Sequence, residues 1–192
     1  MGRWEPNARG RLEQAALELY VERGYEQTPV AEITKRAGLT ERTFFRHFAD
    51  KREVLFAGSG RLEELCVGAV AAASPTATPM EAVAAALDAA AGAFEERGEL
   101  VRLRQSVIDA NAELRERELI KLASLSGALA DALRDRGVDE LAARLAAEAA
   151  IGVLKVAFGR WIDQGQELPL RPLLSECFDV LRTLSVRGAD AG

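Results

Sequence analysis

Histidine and cysteine are nearly missing from this chain. There is one histidine, His47, and there are two cysteines, Cys66 and Cys177. That leaves little for histidine-based metal or triad chemistry. Two cysteines far apart in sequence do not make a disulfide framework, and their expected role is that of small buried apolar residues. Aromatic residues are only 6% of the total, and strand-like alternation is absent over any useful length, so helices are expected to dominate. No apolar run approaches the roughly 20 residues of a membrane span. The opening Met1-Gly-Arg-Trp-Glu-Pro carries charge with no apolar core behind it, unlike a signal peptide, so a cytoplasmic location is expected. The stretch Gly58-Ser59-Gly60 lacks both the preceding strand and the third glycine of a dinucleotide loop, and reads as a kink. No HExxH, paired-cysteine motif, phosphate loop or Ser-His-Asp ordering occurs, so no catalytic residue, metal or cofactor is expected.

What is present is 192 residues, 48% apolar and 29% charged, the composition of a globular chain able to bury a core. Its formal charge of −5 hides an asymmetry. Up to Ala57 ten lysines and arginines stand against nine acidic residues, and beyond it fifteen stand against twenty-one. Within the first part Lys35, Arg36, Arg42, Arg46, Lys51 and Arg52 face only Glu41 and Asp50. Such a local cluster matters more than the total, because salt screens charges beyond about 8–10 Å. It points to a polyanionic partner if the fold displays it.

Helical spacing organises the first part. Leu12, Ala15, Ala16, Leu19 and Tyr20 form an apolar stripe over about Ala8 to Arg23, with Gly24 as its stop. Thr28-Pro29 predicts a capped second helix with Val30, Ile33 and Ala37 inward and Gly38 at its end. Thr40 starts a third helix on which Phe44 and Phe48 share the inner face, and Asp50 is expected to cap a fourth helix from Lys51. Two short helices joined by a glycine-containing turn are a helix-turn-helix, whose second helix can enter the DNA major groove. Phe44 and Phe45 are adjacent and cannot both point inward, so one has another task.

These residues carry a resemblance. The stretch Arg11 to Leu55 resembles the DNA-binding domain of the TetR family of bacterial repressors. It does so through Ala15-Ala16-Leu17-Glu18-Leu19-Tyr20, Gly24-Tyr25, and Thr28-Pro29-Val30-Ala31-Glu32-Ile33. The run Ala37-Gly38-Leu39-Thr40-Glu41-Arg42-Thr43-Phe44-Phe45-Arg46-His47-Phe48, then Asp50-Lys51 and Leu55, completes the pattern. The resemblance implies that Thr28, Thr40, His47 and Lys51 contact the DNA backbone and that Arg42 and Thr43 face base edges. Arg46 reads either a base or a phosphate. Phe45 stands where the family most often has Tyr, so packing on sugar or a base methyl replaces a hydrogen bond to phosphate. Arg9 and Arg11 are further candidates for backbone contacts.

The expected architecture is all-α. A helix-turn-helix DNA-binding domain of three helices, residues 1–57, precedes a helical ligand-binding and dimerisation domain, residues 58–192. Later helices are predicted at about Pro79 to Arg97, Leu100 to Asp109, Ala110 to Arg136, Asp139 to Gln164 and Leu170 to Val186. Ala142, Ala143, Ala146, Ala147, Ala149, Ala150 and Gly152 offer a small-residue surface for close helix approach. Leu173, Leu174, Phe178, Leu181 and Leu184 offer bulk. By resemblance these last two helices form a four-helix bundle with a second subunit. Candidate effector contacts are Leu87, Phe94, Leu103, Val107, Leu122, Leu125, Phe158 and Trp161, with Arg104, Gln105 or Asn111 to orient a mainly apolar molecule. The expected function is that of a homodimeric transcription regulator, a repressor released from a palindromic operator by a small effector. The competing readings are a helical enzyme, or an interaction module that has kept the fold without operator binding.

Overall fold

A computed structural model describes residues 7–164 and 168–186. The sequence reading of Met1 to Pro6 lies outside them. Among the described residues there are nine α-helices and no strand. They are α1 (Ala8–Arg23), α2 (Val30–Ala37), α3 (Glu41–His47), α4 (Ser59–Ala72), α5 (Pro79–Glu95), α6 (Gly98–Asp109), α7 (Ala112–Asp135), α8 (Glu140–Asp163) and α9 (Leu170–Val186). None is long and apolar enough to cross a membrane.

Local chemistry fixes most of these boundaries. Thr78 and Glu81 form a reciprocal capping box at the start of α5, with Pro79 in the first turn. Asp139 accepts from the Leu141 and Ala142 N–H groups at the start of α8. Glu95 does the same service for α9, its Oε1 accepting from Leu170 N at 2.7 Å. Arg136 donates to the Val70, Ala73 and Ser74 carbonyls, satisfying acceptors that the end of α4 leaves open.

Two expectations for the first part need correction. Pro29, not Thr28, is the N-cap of α2, and no side chain caps that helix. The fourth helix does not begin at Lys51. Asp50 Oδ1 does accept from Arg52 N at 2.8 Å and Glu53 N at 3.2 Å, as a cap would. Residues 51–58 nevertheless form successive turns, and α4 starts at Ser59. In a continuous helix the Leu55 carbonyl would accept from Ser59 N–H. Here Ser59 N–H goes to Phe56 instead, and the Leu55 carbonyl accepts from Arg104 Nε at 2.6 Å. Gly58 and Gly60 weaken helix propensity at the same point.

The chain divides into two compact units that do not follow sequence order. One holds the residues up to Gly60 together with Glu99–Ile120, and the other holds Arg61–Gly98 and the residues from Lys121 onward. The first unit, the head, is built on Leu12, Leu19, Ile33, Phe44 and Phe48, and the same cluster includes Val107, Ile108 and Leu114. The stretch 99–120, which lies beyond Ala57, thus contributes these three residues to the core of the head. In the second unit α5, α8 and α9 pack on one another through Ala86, Ala90, Ala147, Ala150 and Leu173, all essentially buried.

Candidate nucleic-acid interface

The head is assembled around two fixed turns. Gly38 ends α2 in the left-handed region, φ 64° and ψ 36°, a conformation that favours glycine. Its N–H donates to the Lys35 carbonyl at 3.2 Å, and Leu39 N–H reaches back to Thr34 at 2.9 Å. Arg11 then locks the corner by donating to the Ala37 carbonyl at 2.5 Å. Thr40 starts α3, its hydroxyl accepting from Thr43 N–H at 3.2 Å and meeting the Thr43 hydroxyl at 3.1 Å.

This geometry sets what α3 displays. Phe44 is fully buried while Phe45 is 56% exposed, with the two rings edge to face at 5.3 Å. The adjacent aromatics thus split into one anchor and one surface group. Arg42 and Arg46 are exposed on the same helix one turn apart, with no ion-pair partner among the described residues. Thr43 is half-buried between them.

Lys51 is half-buried. Its Nζ donates to the Tyr25 carbonyl at 2.9 Å and stands 4.1 Å from the centre of the Tyr25 ring. Tyr20 fixes the backbone of the same residue, donating its hydroxyl to the Lys51 carbonyl at 2.8 Å. Burial raises the pKa of both phenols well above the ordinary tyrosine value, so both stay neutral. An ammonium has three donors, and only one is engaged by Tyr25.

Thr28 differs from the sequence expectation. It is 1% exposed, and its hydroxyl donates to the Gly24 carbonyl at 2.8 Å. The side chain closes the loop after α1 and does not present an oxygen or a proton at the surface. Arg9 and Arg11 are likewise engaged within the protein. Arg9 pairs with Glu13 and donates to the Ala57 carbonyl at 2.5 Å, and Arg11 holds Ala37. His47 is half-buried with its Nε2 buried and unpartnered, so a DNA contact from it has to use Nδ1. Within the basic cluster Arg36 is paired to Glu18 and Glu22, and Arg52 to Asp50 and Glu113.

The head thus presents a buried corner, a short helix with an outward aromatic and two outward arginines, and a lysine held by Tyr25. Residues 13–57 match the family model of bacterial regulatory proteins, tetR family. Residues 77–185 match the model of the MftR C-terminal domain. The chain belongs to the TetR family. Over 92 residues it is 36% identical to the HTH-type transcriptional regulator TcmR of Streptomyces glaucescens, a match covering 48% of this chain. The chain spans about two-fifths of the length of that curated relative, 40%. Two solved structures share the fold. The fatty acid degradation regulator FadR of Bacillus halodurans is 20% identical with a TM-score of 0.64, over 93% of this chain and 96% of that one. FadR of Bacillus subtilis, solved with stearoyl-CoA, is 23% identical with a TM-score of 0.64, over 90% and 96%.

The candidate effector residues of this TetR-family chain do not all fall together. Leu87, Phe94, Leu122, Leu125, Phe158 and Trp161 lie in the second unit. There Phe94, Phe158 and Trp161 form an aromatic chain, with ring centres 5.4 and 5.7 Å apart. Leu87 and Leu125 are buried, and Leu122 is half-buried. Leu103 and Val107 lie in the head unit. Leu103 is exposed, and Val107 belongs to the core of the head. Val107 and Asn111 also border an open groove of about 340 Å³ against Tyr20 and Tyr25. Gln105 is buried, its amide nitrogen shared between Asp109 and Glu118, and Arg104 holds Leu55.

The small-residue face of α8 is divided between the inner and outer sides of the helix. Ala143, Ala146, Ala147 and Ala150 are buried within the chain, as are Leu173 and Leu174 of α9. The outer side of α8 carries Leu141, Leu145 and Val156, each about 60% exposed. Gly152 and Gly159 lie at the same helical spacing. On α9, Val180 and Leu184 are exposed. Of the expected small residues the four buried alanines pack within the chain, Ala149 is half-buried, and Ala142 and Gly152 are exposed. The large residues left outside form the uncovered stripe.

Proposed function

We propose that this chain is a cytoplasmic, homodimeric repressor that occupies a palindromic operator and is released by a small, mainly apolar molecule. The observation that carries the reading is the exposed face of α3. It offers Arg42, Phe45 and Arg46 on a helix anchored from behind by fully buried Phe44. Arg42 and Thr43 read base edges, the arginine through a bidentate contact with guanine worth about 1–3 kcal/mol of discrimination. Thr40, Lys51 and His47 hold the backbone, Arg46 reads a base or a phosphate, and Phe45 packs on sugar or a thymine methyl. Thr28 leaves this set because its hydroxyl is spent on Gly24. The uncovered apolar stripes of α8 and α9 support pairing with a second copy, since exposed patches of this kind mark interaction sites. Two-fold pairing spaces two recognition helices about one DNA turn apart. An effector site lined by Leu87, Phe94, Leu122, Leu125, Phe158 and Trp161 is apolar, in keeping with a fold relative solved with stearoyl-CoA. Release then requires that the effector prefer the conformation with wrongly spaced heads.

The test is selection of bound duplexes from a random DNA pool by the purified protein, followed by salt titration. Enrichment of one palindrome with affinity falling steeply in salt is expected. A folded dimer that enriches no sequence at any salt defeats the reading.

A further inference from the structure

We propose that Arg117 and Arg104 are positioning residues for DNA binding, bracing the turn at 51–58 that carries Lys51. This rests on the operator-binding reading above. The turn has no helical ladder of its own. Its backbone bonds are short-range ones such as Leu55 N to Arg52 and Phe56 N to Glu53, both 3.1 Å. Its own Val54, Leu55 and Phe56 are buried in the core of the head, and side chains outside the turn supply its polar holds. On one side Tyr20 holds the Lys51 carbonyl. On the other the segment Glu99–Ile120, part of the same compact unit, supplies three contacts. Arg117 pairs with Glu53 at 2.5 Å, with side chains 34% and 19% exposed. Glu113 pairs with Arg52 at 3.0 Å. Arg104 donates to the Leu55 carbonyl at 2.6 Å, with its guanidinium 4.9 Å from the centre of the Phe56 ring.

Arg104 is itself held. Glu118 Oε1 lies 3.6 Å from its Nη1, and the other oxygen of Glu118 accepts from buried Gln105 at 3.2 Å. Because Arg104 takes the carbonyl that a continuous helix would use, it also keeps residues 51–58 as turns. Neither arginine needs to touch DNA. Each limits where Lys51 and the adjoining α3 can sit, so the ordering cost of binding is met before DNA arrives.

The test uses the full chain and the operator selected from the random pool. Arg117→Gln is expected to weaken operator affinity by about tenfold, the loss of one hydrogen-bonded charge pair, with the salt slope unchanged. Glu53→Gln should do the same, and the double variant should be no worse than either single. Arg117→Lys should recover part of the loss. A second readout needs no DNA: amide exchange over 51–58 should quicken about tenfold in Arg117→Gln and in Arg104→Lys, with exchange in α8 unchanged. Unchanged operator affinity, or raised affinity, overturns the proposal. So does a salt slope lowered by about one, which would mean that Arg117 itself contacts phosphate. So does unchanged exchange over 51–58. If the wild type selects no DNA, the operator-binding reading fails, and the exchange result alone decides whether the brace exists.

Discussion

Replacing Thr28 with Val separates a structural hydroxyl from a DNA-contacting one. Valine has the same shape, keeps the buried methyl group and puts a second methyl where the hydroxyl was. What is lost is the 2.8 Å bond from the hydroxyl to the Gly24 carbonyl, with a weaker approach to Leu19 at 3.4 Å. Gly24 is itself exposed, so its carbonyl can turn to water and escapes the full penalty of a buried orphan. The expected cost is therefore about 1 kcal/mol, the net worth of one intramolecular hydrogen bond. For a chain of this size that lowers Tm by roughly 2–4 °C. Thr28→Ser keeps the hydroxyl and loses a buried methyl, which also costs about 1 kcal/mol. Both variants should melt slightly early in circular dichroism and bind the selected operator as the wild type does in fluorescence anisotropy. A phosphate-bound hydroxyl predicts another pattern. Losing a hydrogen bond to a charged group costs about 1.5–3 kcal/mol, at least tenfold in affinity. Weakened binding by Thr28→Val alongside normal binding by Thr28→Ser would refute the structural role.

Three other outcomes are expected. Lys51→Ala should weaken binding to all sequences alike and reduce the salt slope by about one, whereas Arg42→Ala should also relax base preference; equal effects of both on operator and random DNA remove Arg42 from base reading. Leu145→Glu with Val156→Glu should give a folded monomer in analytical ultracentrifugation, and a persistent dimer places the pairing surface elsewhere. Arg52 and the Arg52 and Glu53 amides hold the Asp50 carboxyl below its ordinary value of 3.8. Its contribution to stability is therefore present above that value and lost as pH falls through the depressed one. Asp50→Asn should remove part of the acid-side decline in an acid titration followed by circular dichroism, and an unchanged acid limb contradicts the assignment.

Helices with strong local signals were legible without coordinates. The α1 stripe, the Thr78-Pro79 start, the Asp139 cap and the Gly38 corner each depend on residues within a turn of one another. The same holds for the Phe44 and Phe45 split, since two neighbours on a helix point about 100° apart. The features that escaped the sequence reading depended on distant partners. Thr28 beside Pro29 has the signature of a cap, but its hydroxyl finds a carbonyl from the preceding loop. Asp50 caps the turn after it, yet the chain runs on in turns to Ser59, and the Leu55 carbonyl accepts from Arg104, far along the chain. The small residues of α8 read as one surface for another helix, but Ala143, Ala146, Ala147 and Ala150 pack within the same chain while Ala142 and Gly152 stay exposed. Nothing local distinguishes these cases. Nor does local patterning reveal that Val107, Ile108 and Leu114 complete the core of the head, because an apolar helical stripe does not name its partner.

The charge pattern carries a related lesson. Six basic residues over 35–52 made an acidic chain look able to meet a polyanion. In the fold Arg36 and Arg52 are satisfied by carboxylates from α1, from Asp50 and from Glu113. They hold the head together and are neutralised in doing so. The charge of the cluster without a carboxylate partner among the described residues narrows to Lys35, to Arg42 and Arg46 one helical turn apart on α3, and to Lys51, which donates to the Tyr25 carbonyl. That is a smaller but better defined surface than the count suggests. In the operator-binding proposal its position, not the net charge of the chain, sets where a phosphate backbone lies. The acidic remainder of the chain weakens the interaction little, because screening at about 8–10 Å confines each contribution to its neighbourhood.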